Sequence, residues 1–149
     1  MKKGPRKLSA VFYKKVLENF AIPCVDVVVV CGHEFLLVKR KNEPAKGEWW
    51  VPGGRVFKGE KIYEAAKRKV WEEVGLKVLS LKQLFAEDTM FETSAFGVST
   101  HTVGIIYSAR VKSRKAVLDR DHSEYKWFSK IDRRWDPYVK KALRCAGFK

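Results

Sequence analysis

The feature that most restricts the fold of this chain is a glycine-rich bend followed directly by an amphipathic segment. The bend, residues 49–57, contains two tryptophans and Pro52-Gly53-Gly54, so it is too apolar for a free loop and too rich in glycine for a plain strand. Over residues 61–74 the apolar positions form one narrow helical stripe, and Gly75 stands where a left-handed cap would end a helix. The sequence therefore predicts a rigid turn between two short strands that leads into a helix over residues 61–74.

The remaining patterns place strands on both sides of this helix. Apolar residues at helical intervals predict a leading helix over residues 8–20, with Pro23 as its stop. Apolar runs over residues 24–30 and 34–40 predict a hairpin. Further strand patterns lie around residues 76–91, 102–111 and 125–128, and residues 137–145 predict a closing helix. This mixed order is typical of a layered α+β domain.

Length and charge favour one domain with anionic partners. Because 149 residues bury one core of ordinary size, we expect residues 1–149 to form a single domain, with residues 1–20 as an N-terminal helix and extension. No apolar run is long enough to cross a bilayer and no secretory pattern opens the chain, which predicts a cytoplasmic protein without membrane contact. The net charge of +14 should attract phosphate-rich partners, although the basic residues are spread along the whole chain.

Two adjacent glutamates, Glu72 and Glu73, mark the polar face of the predicted helix. They follow Lys69 by three and four residues, so the three side chains share one face. A solvated face with ion pairs to Arg68, each contributing roughly a few tenths of a kcal/mol, would explain them. A hard cation held against a diphosphate would also explain them, since Mg²⁺ takes oxygen ligands. The bend favours the cation, because residues 52–55 open backbone groups to a ligand beside a guanidinium.

One regular spacing links the bend to the helix. Gly54 is followed after five residues by Glu60, after seven more by Arg68, and then by Val70, Glu72, Glu73, Gly75 and Leu76. This spacing resembles the Nudix box. One position departs from it, because Lys69 stands where most Nudix boxes have a Glu directly after the Arg. The ammonium removes a ligand and adds a competing charge, so we predict a single Mg²⁺, with Mn²⁺ as the alternative, and a base outside the box.

Two further stretches carry a closer likeness. They are residues 39–56, with Lys39, Arg40, Asn42, Pro44, Ala45, Gly47, Trp49 and Val51 to Val56, and residues 119–127. Both look like the GDP-mannose mannosyl hydrolase branch of the Nudix family, and the likeness runs from about Asp26 to Trp127. The resemblance implies an α/β/α sandwich with a mixed central sheet, the helix of the box packed on it and a C-terminal helix. It also implies cleavage at the sugar carbon, which releases GDP and free sugar.

The resemblance assigns the base and the metal ligands. His122 matches the catalytic base of the branch, and an imidazole suits proton abstraction near neutral pH. The implied metal ligands are the Gly53 carbonyl, the Glu73 carboxylate and Asp121, which stands where the branch usually has Gln. Glu72 is an extra carboxylate at this site, so the metal count is open.

The resemblance also assigns residues around the diphosphate and the sugar. Arg40 and Arg55 would bind substrate and assist catalysis beside the leaving diphosphate. Arg68 would bind substrate, or equally pair with Glu60 in a structural role. Asp26 matches a strand carboxylate near the sugar and would assist catalysis there. We expect a buried partner for it because it interrupts an apolar run.

Three functions compete for these residues. The first is hydrolysis of a nucleotide sugar, with GDP-mannose as the leading candidate, by water attack at C1. The second is ordinary Nudix pyrophosphohydrolysis of a nucleoside diphosphate derivative at phosphorus. The third, a minor alternative, is a basic nucleic-acid-binding module without catalysis, which lacks any aromatic RNA-binding signature. The expected partner is thus a small nucleotide-sugar substrate, not nucleic acid, and the resemblance adds a homodimer by analogy.

Overall fold

The described part of the chain forms three helices and seven strands. The computed structural model describes residues 7–149, so the first six residues of the predicted N-terminal extension lie outside it. The helices are α1 (Ala10–Asn19), α2 (Ile62–Val74) and α3 (Pro137–Cys145), and the strands are β1 (Ile22–Cys31), β2 (Glu34–Arg40), β3 (Trp49–Trp50), β4 (Gly53–Arg55), β5 (Ser80–Phe91), β6 (Thr100–Arg110) and β7 (His122–Phe128). The predicted hairpin, central helix and closing helix are therefore confirmed.

All seven strands belong to one mixed sheet. Its main order is β3-β2-β1-β6-β5, with β4 paired to the first half of β1 and β7 paired to β2. Strands β1 and β6 run parallel, whereas the other pairs are antiparallel. Asp26 of β1 lies opposite Gly53 of β4, so the glycine-rich bend is attached to the centre of the sheet.

Helices cover both faces of the sheet. On one face α2 packs Ala65, Ala66, Val70 and Val74 against buried valines of β1 and β2. On the other face α3 packs Val139, Ala142 and Leu143 against Val28, Phe35 and Ile106. Burial of these apolar side chains from water is the main force that holds the three layers together. The predicted α+β fold with an α/β/α arrangement is confirmed.

The ends of α2 and α3 follow the sequence signals. Gly75 caps α2 in the left-handed conformation with φ of 64°, which glycine adopts at little cost. Asp136 caps α3, since its side chain accepts a hydrogen bond of 2.8 Å from the Tyr138 amide, and Pro137 occupies the first turn.

Two boundary predictions were wrong. The first strand begins at Ile22 and not at residue 24, so Pro23, which follows the end of α1, is also the second residue of β1, where its missing N–H is tolerated. The last strand begins at His122 and not at Tyr125. The sequence prediction missed its first residues because they are polar and do not show the strand pattern. Strand β7 also has a bulge against β2 between Lys39 and Arg40, which places Arg40 opposite His122.

Across residues 7–149 no helix combines the length and the apolar character that a bilayer crossing requires.

Candidate functional site

The glycine bend and α2 meet at one carboxylate. The amide of Gly53 donates a hydrogen bond of 3.1 Å to Oε2 of Glu73. A Cβ atom on residue 53 would overlap with Oδ1 of Asp26 and with the carbonyl oxygen of Val25. Only glycine fits at this position, and its absent side chain lets strand β1, the bend and α2 approach each other closely.

Glu73 and Lys69 form a buried ion pair at this junction. Nζ of Lys69 lies 3.0 Å from Oε1 of Glu73 and 3.3 Å from Oε2 of Glu72. Burial raises the pKa of the Glu73 carboxyl, even though the Lys69 ammonium acts in the opposite direction. Burial works to lower the pKa of Lys69, but the two carboxylates outweigh it and the pKa is raised. Lys69 therefore stays charged between the two glutamates.

Arg68 holds the polar side of α2 to the bend. Its guanidinium pairs with both carboxylate oxygens of Glu60 at 2.7 and 3.0 Å, and it also donates to Glu72 and to the carbonyl oxygen of Arg55. It lies 3.9 Å from the ring centre of Phe57. These contacts favour the structural alternative for Arg68 over substrate binding, because its donors are already used within the protein.

His122 is buried beside the cluster formed by Lys69, Glu72 and Glu73. Its Nδ1 lies 2.7 Å from Oδ1 of Asp119, and its Nε2 lies 4.0 Å from Oε2 of Glu73. With the proton on Nδ1, the imidazole donates a hydrogen bond to the Asp119 carboxylate and leaves Nε2 to act as a base. A backbone hydrogen bond of 3.1 Å from Asp119 to the carbonyl of Glu73 fixes this segment against α2.

A cleft of about 230 Å³ opens next to the cluster. Of the predicted site residues, Asp26, Arg40, Gly53 and Arg55 line it. Its other walls are Tyr13, Cys24, Pro44, Ala45, Trp50, Val51, Gly54, Thr89, Phe91, Thr100, Thr102 and Tyr138. Two arginines beside aromatic and threonine side chains suit an anionic ligand with a ring and hydroxyl groups.

The two arginines reach the cleft from different elements. Arg40 ends β2 at the bulge, and its Nε donates 2.6 Å to the carbonyl oxygen of Pro44. Arg55 ends β4, and its guanidinium lies 4.4 Å from the ring centre of Tyr13 in α1. The leading helix therefore takes part in forming the cleft.

Asp26 has the buried partner that its sequence position predicts. The hydroxyl of Tyr138 in α3 donates to Oδ2 of Asp26 at 2.5 Å. Burial raises the pKa of Asp26 to about 6, although the hydrogen bond from Tyr138 acts to lower it. This carboxyl faces the cleft beside Gly53 and has an affinity for protons that suits acid–base chemistry.

The predicted site residues thus fall into two neighbouring groups. Glu73, Glu72 and His122 gather around Lys69, whereas Asp26, Arg40 and Arg55 line the cleft, and Gly53 belongs to both groups. Asp121 belongs to neither group: it is exposed, and its Oδ1 accepts a hydrogen bond of 3.0 Å from Asn42.

Sequence reasoning missed three contributors. Asp119, Tyr138 and Tyr13 had no assigned role, yet they orient His122, bind Asp26 and line the cleft. The carboxylate three residues before His122 was a usable signal, since a histidine base needs such a partner. The two tyrosines gave no local signal, because only the packing of α1 and α3 in the folded protein brings them to the cleft.

The oxygen atoms at this junction are of the type that binds a hard divalent ion. Carboxylate and carbonyl oxygens are the ligands that Mg²⁺ prefers, and Glu73, Glu72 and the Gly53 backbone lie together here. Within residues 7–149, however, no three His, Cys, Asp or Glu side chains converge into a ready metal cage. Because Mg²⁺ usually keeps several waters, an ion held there would complete its coordination with water or with oxygens of a bound ligand.

A second depression of about 500 Å³ lies at the opposite end of β1. Val30, His33, Arg110 and Lys130 are among its lining residues, and it contains none of the predicted site residues. The chemistry is therefore assigned to the smaller cleft.

Comparison with known proteins places this arrangement in a family. A family model described as the NUDIX domain matches residues 22–141. The low-salt glycan biosynthesis protein Agl8 of Haloferax volcanii is 36% identical over 126 residues, covering 82% of this chain and 81% of that protein. The ADP-ribose pyrophosphatase of Methanocaldococcus jannaschii is 36% identical over 90 residues, which cover 56% of this chain and 53% of that enzyme.

Solved structures agree with the sequence matches. The MutT NUDIX hydrolase from Burkholderia pseudomallei superimposes with a TM-score of 0.72 at 26% identity, covering 85% of this chain and 98% of that one. The NUDIX domain of Shewanella oneidensis NrtR, solved in complex with ADP ribose, has the same fold with a TM-score of 0.60 at 24% identity, covering 77% and 81% of the two chains. The chain belongs to the Nudix hydrolases, enzymes that act on nucleoside diphosphate derivatives and generally use a divalent metal ion.

Proposed function

We propose that this Nudix hydrolase cleaves a nucleotide sugar, with GDP-mannose as the leading substrate, by attack of water at C1 of the sugar. The observation that carries the proposal is the position of the His122 imidazole between two carboxylates, next to a cleft that contains two arginines. Its Nδ1 lies 2.7 Å from Oδ1 of Asp119, and its Nε2 lies 4.0 Å from Oε2 of Glu73. The name of the Haloferax relative, which refers to glycan biosynthesis, supports a sugar-linked substrate. We propose that the chain acts as one domain in the cytoplasm, and the homodimer implied by the resemblance stays a prediction.

The proposed reaction assigns one task to each group. A bond forms between the water oxygen and C1 while the bond from C1 to the diphosphate oxygen breaks, and GDP leaves with that electron pair. Nε2 of His122, oriented by Asp119, accepts the proton of the attacking water. The guanidinium groups of Arg40 and Arg55 stabilise the negative charge on the departing diphosphate.

Asp26 and the metal ligands complete the assignment. The Asp26 carboxylate, fixed by Tyr138, would bind the sugar at the floor of the cleft. One Mg²⁺ ion, or Mn²⁺, would be held by the Gly53 carbonyl and Glu73, with Glu72 or Asp121 as further ligands, and would neutralise diphosphate charge.

The position of attack can be read from isotope incorporation. We expect incubation with GDP-mannose and Mg²⁺ in ¹⁸O-water to yield GDP and mannose, with the label in mannose by mass spectrometry. Samples without enzyme control for spontaneous hydrolysis. Label in a phosphate, with GMP and mannose 1-phosphate as products, would assign the alternative, ordinary pyrophosphohydrolysis at phosphorus, which the name of the Methanocaldococcus relative supports. Failure to turn over any of a panel of nucleotide sugars would reject the nucleotide-sugar substrate and leave pyrophosphohydrolysis of another nucleoside diphosphate derivative to be tested.

Replacement of His122 tests the base. We expect His122→Gln to lower kcat by about 10²-fold or more while KM changes little, because general-base catalysis contributes about 10²–10⁴-fold and the proposed base contacts the attacking water and not the nucleotide sugar. His101→Gln is a matched control, since His101 is partly exposed and pairs with Asp88 on β5, away from the cluster. An unchanged kcat in His122→Gln would remove His122 from this role and leave Asp26 as the base to test.

A further inference from the structure

Lys69 is the cation at the centre of the two glutamates. Its side chain is only 17% exposed, and its ammonium contacts Glu73 at 3.0 Å and Glu72 at 3.3 Å. Two adjacent carboxylates repel each other. Arg68 is also paired with Glu72, at 3.0 Å, but of these two cations only Lys69 contacts Glu73 as well. In the free protein, a charge carried by the chain itself already offsets this repulsion.

The bend leaves space for the Lys69 side chain. A Cβ atom on residue 54 would lie 2.6 Å from Cε of Lys69 and 3.1 Å from its Nζ. The lysine therefore passes across the face of Gly54 to reach the glutamates. This contact is independent of the ion pairs, and it shows that the diglycine bend accommodates the lysine as well as the Gly53–Glu73 hydrogen bond.

The position of the ammonium opposes binding of a metal ion to the same carboxylates. An ion that used Oε1 of Glu73 would lie about 2 Å from that oxygen, and hence within a few ångström of Nζ. Strong repulsion between a dication and an ammonium at that separation would weaken binding. The remaining groups do not compensate, because no three acidic, histidine or cysteine side chains converge within residues 7–149.

We propose that Lys69 is a tethered cation that takes the place of a divalent ion at Glu72 and Glu73 in the free enzyme, so that an ion binds there only together with the diphosphate of the substrate. Phosphate oxygens would supply both the missing ligands and the negative charge that offsets the ammonium. The part of this inference that concerns the diphosphate rests on the proposed function. The part that concerns the free enzyme does not.

Binding of Mn²⁺ tests the proposal without any measurement of activity. Free Mn²⁺ is followed by its EPR signal as protein is titrated, first without nucleotide and then with GDP. We expect the wild-type protein to bind Mn²⁺ weakly alone and at least about tenfold more tightly with GDP. Lys69→Met should bind Mn²⁺ at least about tenfold more tightly than wild type without nucleotide, because the competing charge is gone.

Lys67→Met is the matched control. Lys67 is exposed on the same helix two residues away and contacts the ring of Tyr63, so this variant has the same net charge as Lys69→Met but leaves the glutamates untouched. Its Mn²⁺ binding should equal that of wild type. Circular dichroism and thermal unfolding of each variant confirm that it is folded. If Lys69→Met does not fold, Lys69→Gln removes the same charge while keeping a hydrogen-bond donor for Glu73.

The results of the Mn²⁺ titrations test the role of Lys69 in the free enzyme and the role of the diphosphate separately. Tight Mn²⁺ binding by wild type without nucleotide, unchanged by either substitution of Lys69, would overturn the tethered cation. A gain in Mn²⁺ affinity on substitution of Lys69, but no effect of GDP on any variant, would support the tethered cation and reject the diphosphate as co-ligand. That second result would count against the proposed function and not against the role of Lys69.

Discussion

Glu73→Gln is expected to lower the turnover of the hydrolase by about 10³-fold, since loss of one buried electrostatic group at a reacting centre costs about 10²–10³-fold. Glutamine keeps the shape of the side chain and can still accept the hydrogen bond from the Gly53 amide. It cannot carry the negative charge that pairs with Lys69, faces Nε2 of His122 and would bind a divalent ion. We would measure kcat with the nucleotide sugar identified by the labelling experiment.

Glu64→Gln provides the comparison for this prediction. Glu64 lies exposed in the first turn of α2, so it tests the loss of one carboxylate from the same helix without touching the cluster. Its turnover should match that of wild type. Activity in Glu73→Gln within tenfold of Glu64→Gln would mean that Glu73 does not serve the reaction.

Gly53→Ala is expected to destabilise the protein by about 3 kcal/mol, at the upper end of the cost of forcing an extra carbon into a packed site. The added Cβ would overlap with the carbonyl oxygen of Val25, a backbone atom of the central strand that cannot move without disturbing β1. It would also overlap with Oδ1 of Asp26 and displace it from its position beside Tyr138. Calorimetry should show a Tm lowered by about 6–12 °C for a protein of this size.

Gly59→Ala separates this clash from the general cost of replacing glycine. Gly59 has a φ of 80°, and a Cβ atom there would have no neighbour within 4 Å. Its replacement should therefore cost only about 1 kcal/mol, from the left-handed backbone. Equal losses of Tm in the two variants would show that the contact with Val25 does not constrain residue 53.

Two features of the fold and site were readable in the sequence because they depend on neighbours along the chain. The apolar stripe of α2 recurs every three or four residues and Gly75 directly follows it, and the structure has the helix at Ile62–Val74 with Gly75 as its cap. The spacing from Gly54 to Glu73 identified the box, and the structure brings Gly53 and Glu73 into contact. The departure at Lys69 was visible as a residue type, although its contacts were not.

Other roles could not be read from the sequence, because distant elements decide the environment of a side chain. Asp121 stays a predicted metal ligand, but only the structure shows that it is exposed with Asn42 as a hydrogen-bond partner and that Asp119 contacts His122. Arg68 was ambiguous in the sequence, and its contacts with Glu60 became clear only when the bend was folded over α2.

The sequence by itself determined the central helix, the glycine bend and the family, because local periodicity and spacing encode all three. Only the tertiary structure decided which groups touch: Tyr138 reaches Asp26 from α3, and Tyr13 reaches Arg55 from α1. Those contacts join residues that are far apart in the chain, and they arise because burial of apolar side chains packs helices onto both faces of the sheet. The chemistry of the cleft depends on that packing, since no local pattern records it.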